Sequence, residues 1–198
     1  MKKRSIKQKI LTLSAAAMIA ALSAYGSIAY FTAEDTARNV IAAGNIKIEL
    51  QEKMLSPDGE TIVPFEDQLG VMPGCEVSKI VAVKNTGGQP AWVRVSVDKA
   101  IELADGIEGE ADLSLIAFDL NTEHWIERDG FYYYTGQLAP GQTTEPLFTA
   151  VRFASAMSNQ YQDSKAILSV NAYATQTAHN GSTVWEAAGW PETNERGQ

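Results

Sequence analysis

The stretch Lys165-Ala166-Ile167-Leu168-Ser169-Val170-Asn171-Ala172-Tyr173-Ala174-Thr175 decides the fold class. Ala166, Leu168, Val170, Ala172 and Ala174 fall on one face of an extended chain, and Ile167, Ser169, Asn171, Tyr173 and Thr175 fall on the other. Successive side chains of a strand point to opposite faces, so this alternation predicts a half-buried strand. The same period recurs upstream. Ile46, Ile48 and Leu50 alternate with Asn45, Lys47 and Glu49, Val81 and Val83 alternate with Ala82 and Lys84, and Ala91, Val93, Val95 and Val97 alternate with Trp92, Arg94, Ser96 and Asp98. The last two runs flank Asn85-Thr86-Gly87-Gly88-Gln89-Pro90, which predicts either a hairpin or a loop crossing between sheets.

Further strands are expected at Trp125-Ile126, at Phe131-Tyr132-Tyr133-Tyr134 beyond the turn Arg128-Asp129-Gly130, and at Leu147 to Phe153 beyond Leu138-Ala139-Pro140-Gly141-Gln142. Ser155 to Asp163 reads as a loop or a single helical turn. Two short helices are expected. Within Glu108 to Leu120, Leu113, Ile116 and Leu120 sit at helical spacing; from Ser182 to Trp190, Ser182 or Thr183 is a cap, Glu186 follows Thr183 by three residues and Pro191 is a stop. Many short strands between Gly and Pro turns predict an all-β fold, an antiparallel two-sheet sandwich of jelly-roll or Greek-key type, with one or two short helices and an N-terminal signal helix before it.

The signal expectation comes from residues 1–29. Lys2, Lys3, Arg4, Lys7 and Lys9 form a basic region, Ile10 to Ala24 carry no charge, and Ser27-Ile28-Ala29 place small residues where a signal peptidase needs them. Cleavage between Ala29 and Tyr30 is expected, which makes the protein secreted and leaves residues 30–198 as one domain. A retained anchor is the alternative, since the uncharged run from Ile10 to Tyr30 is just long enough for a hydrocarbon core of roughly 30 Å; its Ser and Ala content argues against it.

Residues 1–29 hold five of the 16 Lys and Arg and none of the 24 Asp and Glu, so their removal leaves a formal charge of −13. No basic cluster remains to release counterions from a polyphosphate, which excludes nucleic acid as a partner. Anionic membrane surfaces are disfavoured for the same reason. Cys75 is the single cysteine, so no internal disulfide can form, and it has no neighbouring His or helix start to make its thiol reactive.

Catalytic groups are scarce. His124 and His179 are the two histidines, and neither belongs to a His-Glu-x-x-His zinc helix. The carboxylate pairs Glu34-Asp35 and Glu66-Asp67 lie outside any loop of alternating oxygen ligands, Asn180-Gly181-Ser182 is a short glycosylation-type pattern, and Pro73-Gly74 and Gly87-Gly88 are turns, not phosphate loops. No catalytic residue, metal, cofactor or small-molecule substrate is expected, and the chain is read as no enzyme.

Several segments resemble the TasA and camelysin family of secreted proteins, exported through a dedicated signal peptidase in spore-forming and related Gram-positive bacteria. They are Ala29-Tyr30-Phe31-Thr32, Asn39-Val40-Ile41-Ala42-Ala43-Gly44-Asn45-Ile46, Pro73-Gly74-Cys75-Glu76-Val77-Ser78-Lys79 and Val83-Lys84-Asn85-Thr86-Gly87 leading to Pro90-Ala91-Trp92-Val93-Arg94-Val95. Asp129 to Tyr134, Leu138 to Thr144 and Trp185-Glu186-Ala187-Ala188-Gly189-Trp190 extend the similarity over most of the chain. The resemblance implies a jelly-roll domain, a cell-surface or matrix location and, by analogy with the best-known member, polymerisation into biofilm fibres. Camelysin-like members are labelled zinc metalloproteases, but no matching zinc motif is present here, and Cys75 stands where the resemblance implies an acidic residue.

A route to polymerisation follows from the N-terminus. Residues 30–37 are a candidate donor strand: Tyr30, Phe31, Thr32, Ala33, Glu34, Asp35 and Thr36 are freed by cleavage, compatible with a strand, and able to add to the sheet edge of the next subunit in a head-to-tail homopolymer. The leading expectation is therefore a structural subunit of extracellular or biofilm matrix fibres, with itself and other matrix or surface components as partners. A non-polymerising surface module that binds a protein or glycan through Trp92, Trp125, Tyr132 and Tyr134 is the second, and a camelysin-like secreted protease the third.

Overall fold

Alternation in the sequence becomes two facing sheets. The computed structural model describes residues 31–42 and 46–191, so the expected signal helix, Ala29 and Tyr30 lie outside the described residues. The strands are β1 (Phe31–Ala42), β2 (Ile48–Leu55), β3 (Ile62–Pro64), β4 (Gln68–Val71), β5 (Glu76–Asn85), β6 (Ala91–Glu102), β7 (Ile116–Phe118), β8 (Trp125–Arg128), β9 (Phe131–Tyr134), β10 (Phe148–Phe153) and β11 (Lys165–Gln176). One sheet has the order β4-β1-β11-β6-β9-β8 and the other β3-β2-β5-β10-β7. All connections except β2–β3 and β8–β9 pass from one sheet to the other, the wiring expected of a jelly-roll or Greek-key sandwich.

The pairing is antiparallel with one exception. β1 runs parallel to β11, in register from Thr32 opposite Lys165 to Ala42 opposite Ala174, with an irregularity between Thr36 and Asn39. Strands at opposite ends of the chain need no local crossover to lie parallel, because the whole domain connects them.

Between the sheets lie Val81 and Val83 of β5, Val93 and Val95 of β6, Phe148, Val151 and Phe153 of β10, and Leu168 and Val170 of β11, all buried. All five inward residues of the alternation in β11, from Ala166 to Ala174, are buried. Ile46, Ile48 and Leu50 likewise point inward while Lys47 and Glu49 are exposed.

The segment between β5 and β6 crosses between sheets and is not a hairpin turn. Buried Asn85 holds it: its Nδ2 donates to the carbonyls of Gln89 at 2.8 Å and Leu138 at 2.9 Å, and its Oδ1 accepts from the Gly87 N–H at 2.9 Å. A Cβ on Gly87 would stand 2.9 Å from the Lys47 nitrogen, so a side chain there forces the backbone apart. The turn Asp129-Gly130 between β8 and β9 is a true two-residue hairpin, with φ of 52° and 78°, the positive values that such turns require.

Both expected short helices are corrected. In Glu108 to Leu120 there is only a three-residue 3-10 turn, Leu113–Leu115, capped by the Asp112 side chain, which accepts from Ser114. Ile116 then enters β7 and pairs with Phe153, so the sheet edge takes a segment whose apolar spacing resembled a helix. From Ser182 to Trp190 the chain makes turns. Capping chemistry is present without a helix to cap: the Glu186 carboxylate accepts from the Ser182 N–H and hydroxyl, both at 2.8 Å. A second 3-10 turn, Asn159–Tyr161, falls inside the expected loop from Ser155 to Asp163.

Candidate functional site

Three places on the domain bear on function. The first is the slot that β1 fills. Its backbone pairs with β11 on one side through Thr32, Ala33, Glu34, Asp35 and Thr36, and with β4 on the other, where Phe31 lies opposite Val71 and Ala33 opposite Gln68. The candidate donor residues Phe31 to Thr36 thus occupy a strand position in their own chain, second from the sheet edge. Without β1, the long β11 would have a free edge and the sheet would be split between β4 and β11.

The second place is a charge pair inside the sandwich. Lys79 on β5 and Glu52 on β2 point to the core side; Nζ and Oε1 are 2.8 Å apart and both side chains are 1% exposed. The Phe65 ring stands 3.7 Å from Nζ, a cation–π contact that further shields the ammonium. Nothing in the sequence marked Glu52, and Lys79 stood out only within the segment Pro73 to Lys79. Their signal was available in retrospect: each carries a charge at a position whose parity along the strand is that of core residues.

Third is the outer face of the six-stranded sheet. Arg94 alternates with the buried Val93 and Val95 and therefore points away from the core, opposite Tyr133 on β9 and Tyr173 on β11. Its guanidinium carbon is 4.0 Å from the Phe131 ring centre, 4.8 Å from that of Trp190 and 5.4 Å from that of Tyr173. Tyr133 packs against Trp185 at 5.2 Å and Trp190 at 5.9 Å, which ties the C-terminal turns to the sheet. Asn180 clasps the same turns: its Nδ2 donates to the carbonyls of Gln176 and Ala188 and to the Thr175 hydroxyl, while its Oδ1 accepts from the Ala188 N–H. The amide of the glycosylation-type pattern is thus committed to holding the chain.

The four aromatic residues expected to form an exposed binding surface are placed otherwise. Trp92 and Trp125 are 2% and 3% exposed, their indole N–H groups donating to the carbonyls of Asn180 and Glu145. Tyr132 and Tyr134 pack against the core. The Tyr134 hydroxyl donates to Glu145 Oε2 at 2.5 Å. Burial, that hydrogen bond and the carboxylate charge push Tyr134 up to about 12, and the same bond holds Glu145 below the usual carboxylate range. The aromatic face is built instead from Phe131 and Tyr133 on the opposite parity of β9, Tyr173 on β11, and Trp185 and Trp190 on the C-terminal turns.

Among the described residues no group of three His, Cys, Asp or Glu side chains is placed to hold a metal ion. His124 hydrogen-bonds through its backbone carbonyl to Thr135, and His179 occupies a turn at φ 55°. Cys75 is partly buried in the turn before β5. A groove of about 370 Å³ on the outer face of the five-stranded sheet is lined by Lys53, Ile62, Pro64, Ile80, Ala82 and Pro146 among others. No family model, curated protein or solved structure matches the chain.

Proposed function

We propose that the protein is a secreted structural subunit of extracellular matrix fibres, in which β1 of one subunit fills the β1 slot of the next. The observation that carries this reading is the position of β1: a strand from the N-terminal end of the domain, joined to β2 by the short connection 43–47, lies between β4 and β11. A strand supplied from a chain end can leave its own slot and enter an identical one without any new contact being invented, and a short hinge favours exchange between chains. Backbone hydrogen bonds to β11 supply affinity in either arrangement, so subunit concentration decides which one dominates. Each subunit then offers one strand and one slot, a head-to-tail geometry that grows into an open filament when the rotation between subunits does not close a ring. The signal-like segment of residues 1–29, the family resemblance and the absence of recognisable catalytic motifs in the sequence support this reading.

The test is electron microscopy of two purified chains, one beginning at Tyr30 and one beginning at Ala43. The first grows fibres and the second does not. A synthetic peptide spanning Phe31–Ala42 binds the second and, in excess, arrests growth of the first. Fibres from the chain that lacks β1, or growth indifferent to the peptide, would exclude the strand-donor role.

A further inference from the structure

We propose that the outer face of the six-stranded sheet docks a glycan bearing sparse carboxylated sugars, with Trp185 as the stacking surface and Arg94 and Arg128 as the carboxylate-facing cations. The assignment needs no strand exchange and stands whether or not the subunit polymerises.

Arg94 is the first argument. Lys79 pairs with Glu52, Arg128 with Asp129 and Arg152 with Glu76, whereas Arg94 forms no ion pair with a described carboxylate. Its Nη1 donates to the Tyr133 hydroxyl at 3.3 Å, and its buried Nε has no acceptor. A guanidinium offers five donors in a planar fork suited to a carboxylate, and here most of that capacity is unspent. The rings of Phe131, Trp190 and Tyr173 lie beside the guanidinium and balance part of its charge.

Trp185 is the second. It is 38% exposed and packs against Tyr133 at 5.2 Å, so the ring is anchored to the sheet while part of it stays open to solvent. A rigid aromatic face of that kind suits the apolar C–H face of a sugar ring. Arg128, with its side chain 61% exposed, lies 6.0 Å from the Trp185 ring and is engaged only by its neighbour Asp129, at 3.3 Å. Sugar-ring stacking beside a guanidinium distinguishes a carboxylated saccharide from a peptide of acidic residues alone, which has no ring to stack. Charge density sets the other limit. The domain's formal charge of −13 repels a dense polyanion, but one carboxylate among neutral sugars interacts with the local cations within a Debye length of about 8 Å.

Affinity gel electrophoresis of the intact chain through glucuronoxylan, whose neutral backbone carries sparse glucuronate, tests the proposal, with the carboxyl-reduced polymer as control. Retardation is expected in glucuronoxylan and not in the reduced polymer. Trp185→Ala weakens binding about tenfold, and Arg128→Gln weakens it several-fold with an unchanged circular-dichroism spectrum. Asp129→Asn strengthens it by removing the internal competitor for Arg128, at a positive-φ position that Asn tolerates. Equal retardation by the reduced polymer, no retardation, Arg128→Gln binding like the parent, or displacement by a poly-glutamate peptide at equal carboxylate concentration would each overturn it.

Discussion

At the scale of single residues, the Lys79–Glu52 pair is fully buried and the Tyr134–Glu145 pair only partly so. Lys79 and Glu52 sit between the sheets, where taking charge out of water is costly and a close partner offsets the cost. Lys79→Met therefore destabilises the domain by about 3–5 kcal/mol, since it leaves Glu52 buried without the ammonium beside it. Urea unfolding measures this, and an unchanged midpoint would mean that the pair is not a desolvated one. Arg152→Gln at the exposed pair with Glu76 is expected to shift the midpoint little. The Tyr134–Glu145 contact reports through titration. Tyr134 is raised from 10.0 to about 12, so the folded state holds a proton that the unfolded chain has lost, and stability falls as pH climbs through that window. Glu145 is lowered, so its contribution is present above its ordinary value and is lost as pH falls through the folded one. Glu145→Gln should bring the tyrosinate absorbance transition of Tyr134 back toward 10; a transition that stays near 12 would assign the shift to burial alone.

At the scale of elements, turn chemistry and strand pairing explain which parts could be read from sequence. β2, β5, β6, β10 and β11 were legible because each is at least six residues long, with a period-two run in β2, β5, β6 and β11 and a turn signal ahead of the apolar segment in β10. The β8–β9 hairpin was legible because Asp129-Gly130 supplies the positive φ its turn needs. β3, β4 and β7 were not: three or four residues give no period, and they are strands only because a neighbouring edge pairs with them. Tertiary pairing also overrode the helical spacing around Ile116. The aromatic site was half legible. The residues Phe131 to Tyr134 were singled out as a strand, but which parity faces the core depends on Val95 lying opposite Tyr132, and no single-strand pattern contains that. Likewise Trp185 and Trp190 join the sheet only through turns fixed by Asn180. The crossing between β5 and β6 gives the prediction at this scale. Gly87→Ala places a methyl against the Lys47 backbone and costs about 1–3 kcal/mol, measured by thermal or urea unfolding. Wild-type stability in that variant would show that the loop yields freely.

At the scale of the whole molecule, carboxylates set the pH range and, in the proposed function, the N-terminal strand sets the assembly. Hydrogen bonds hold Asp58, Asp112, Glu145 and Glu186 below their ordinary values. Burial pushes Asp119 up, but bonds from the Thr149 hydroxyl and the Ala150 and Thr149 N–H groups more than reverse it. Each contribution is present above the ordinary carboxylate range and is lost as pH falls through the lowered values, so the domain is expected to unfold in acid at milder temperatures than near neutrality. A thermal midpoint independent of pH below about 4 would contradict this. The proposed assembly rests on whether β1 can leave its own slot. The direct test is to tether it: Ala33→Cys with Ala166→Cys, register partners on β1 and β11, in a Cys75→Ser background and a chain beginning at Tyr30. Electron microscopy of this one protein before and after reduction decides the matter: the account predicts folded monomers while the bridge is intact and fibres once it is reduced, and fibres that grow equally from the bridged chain would contradict it.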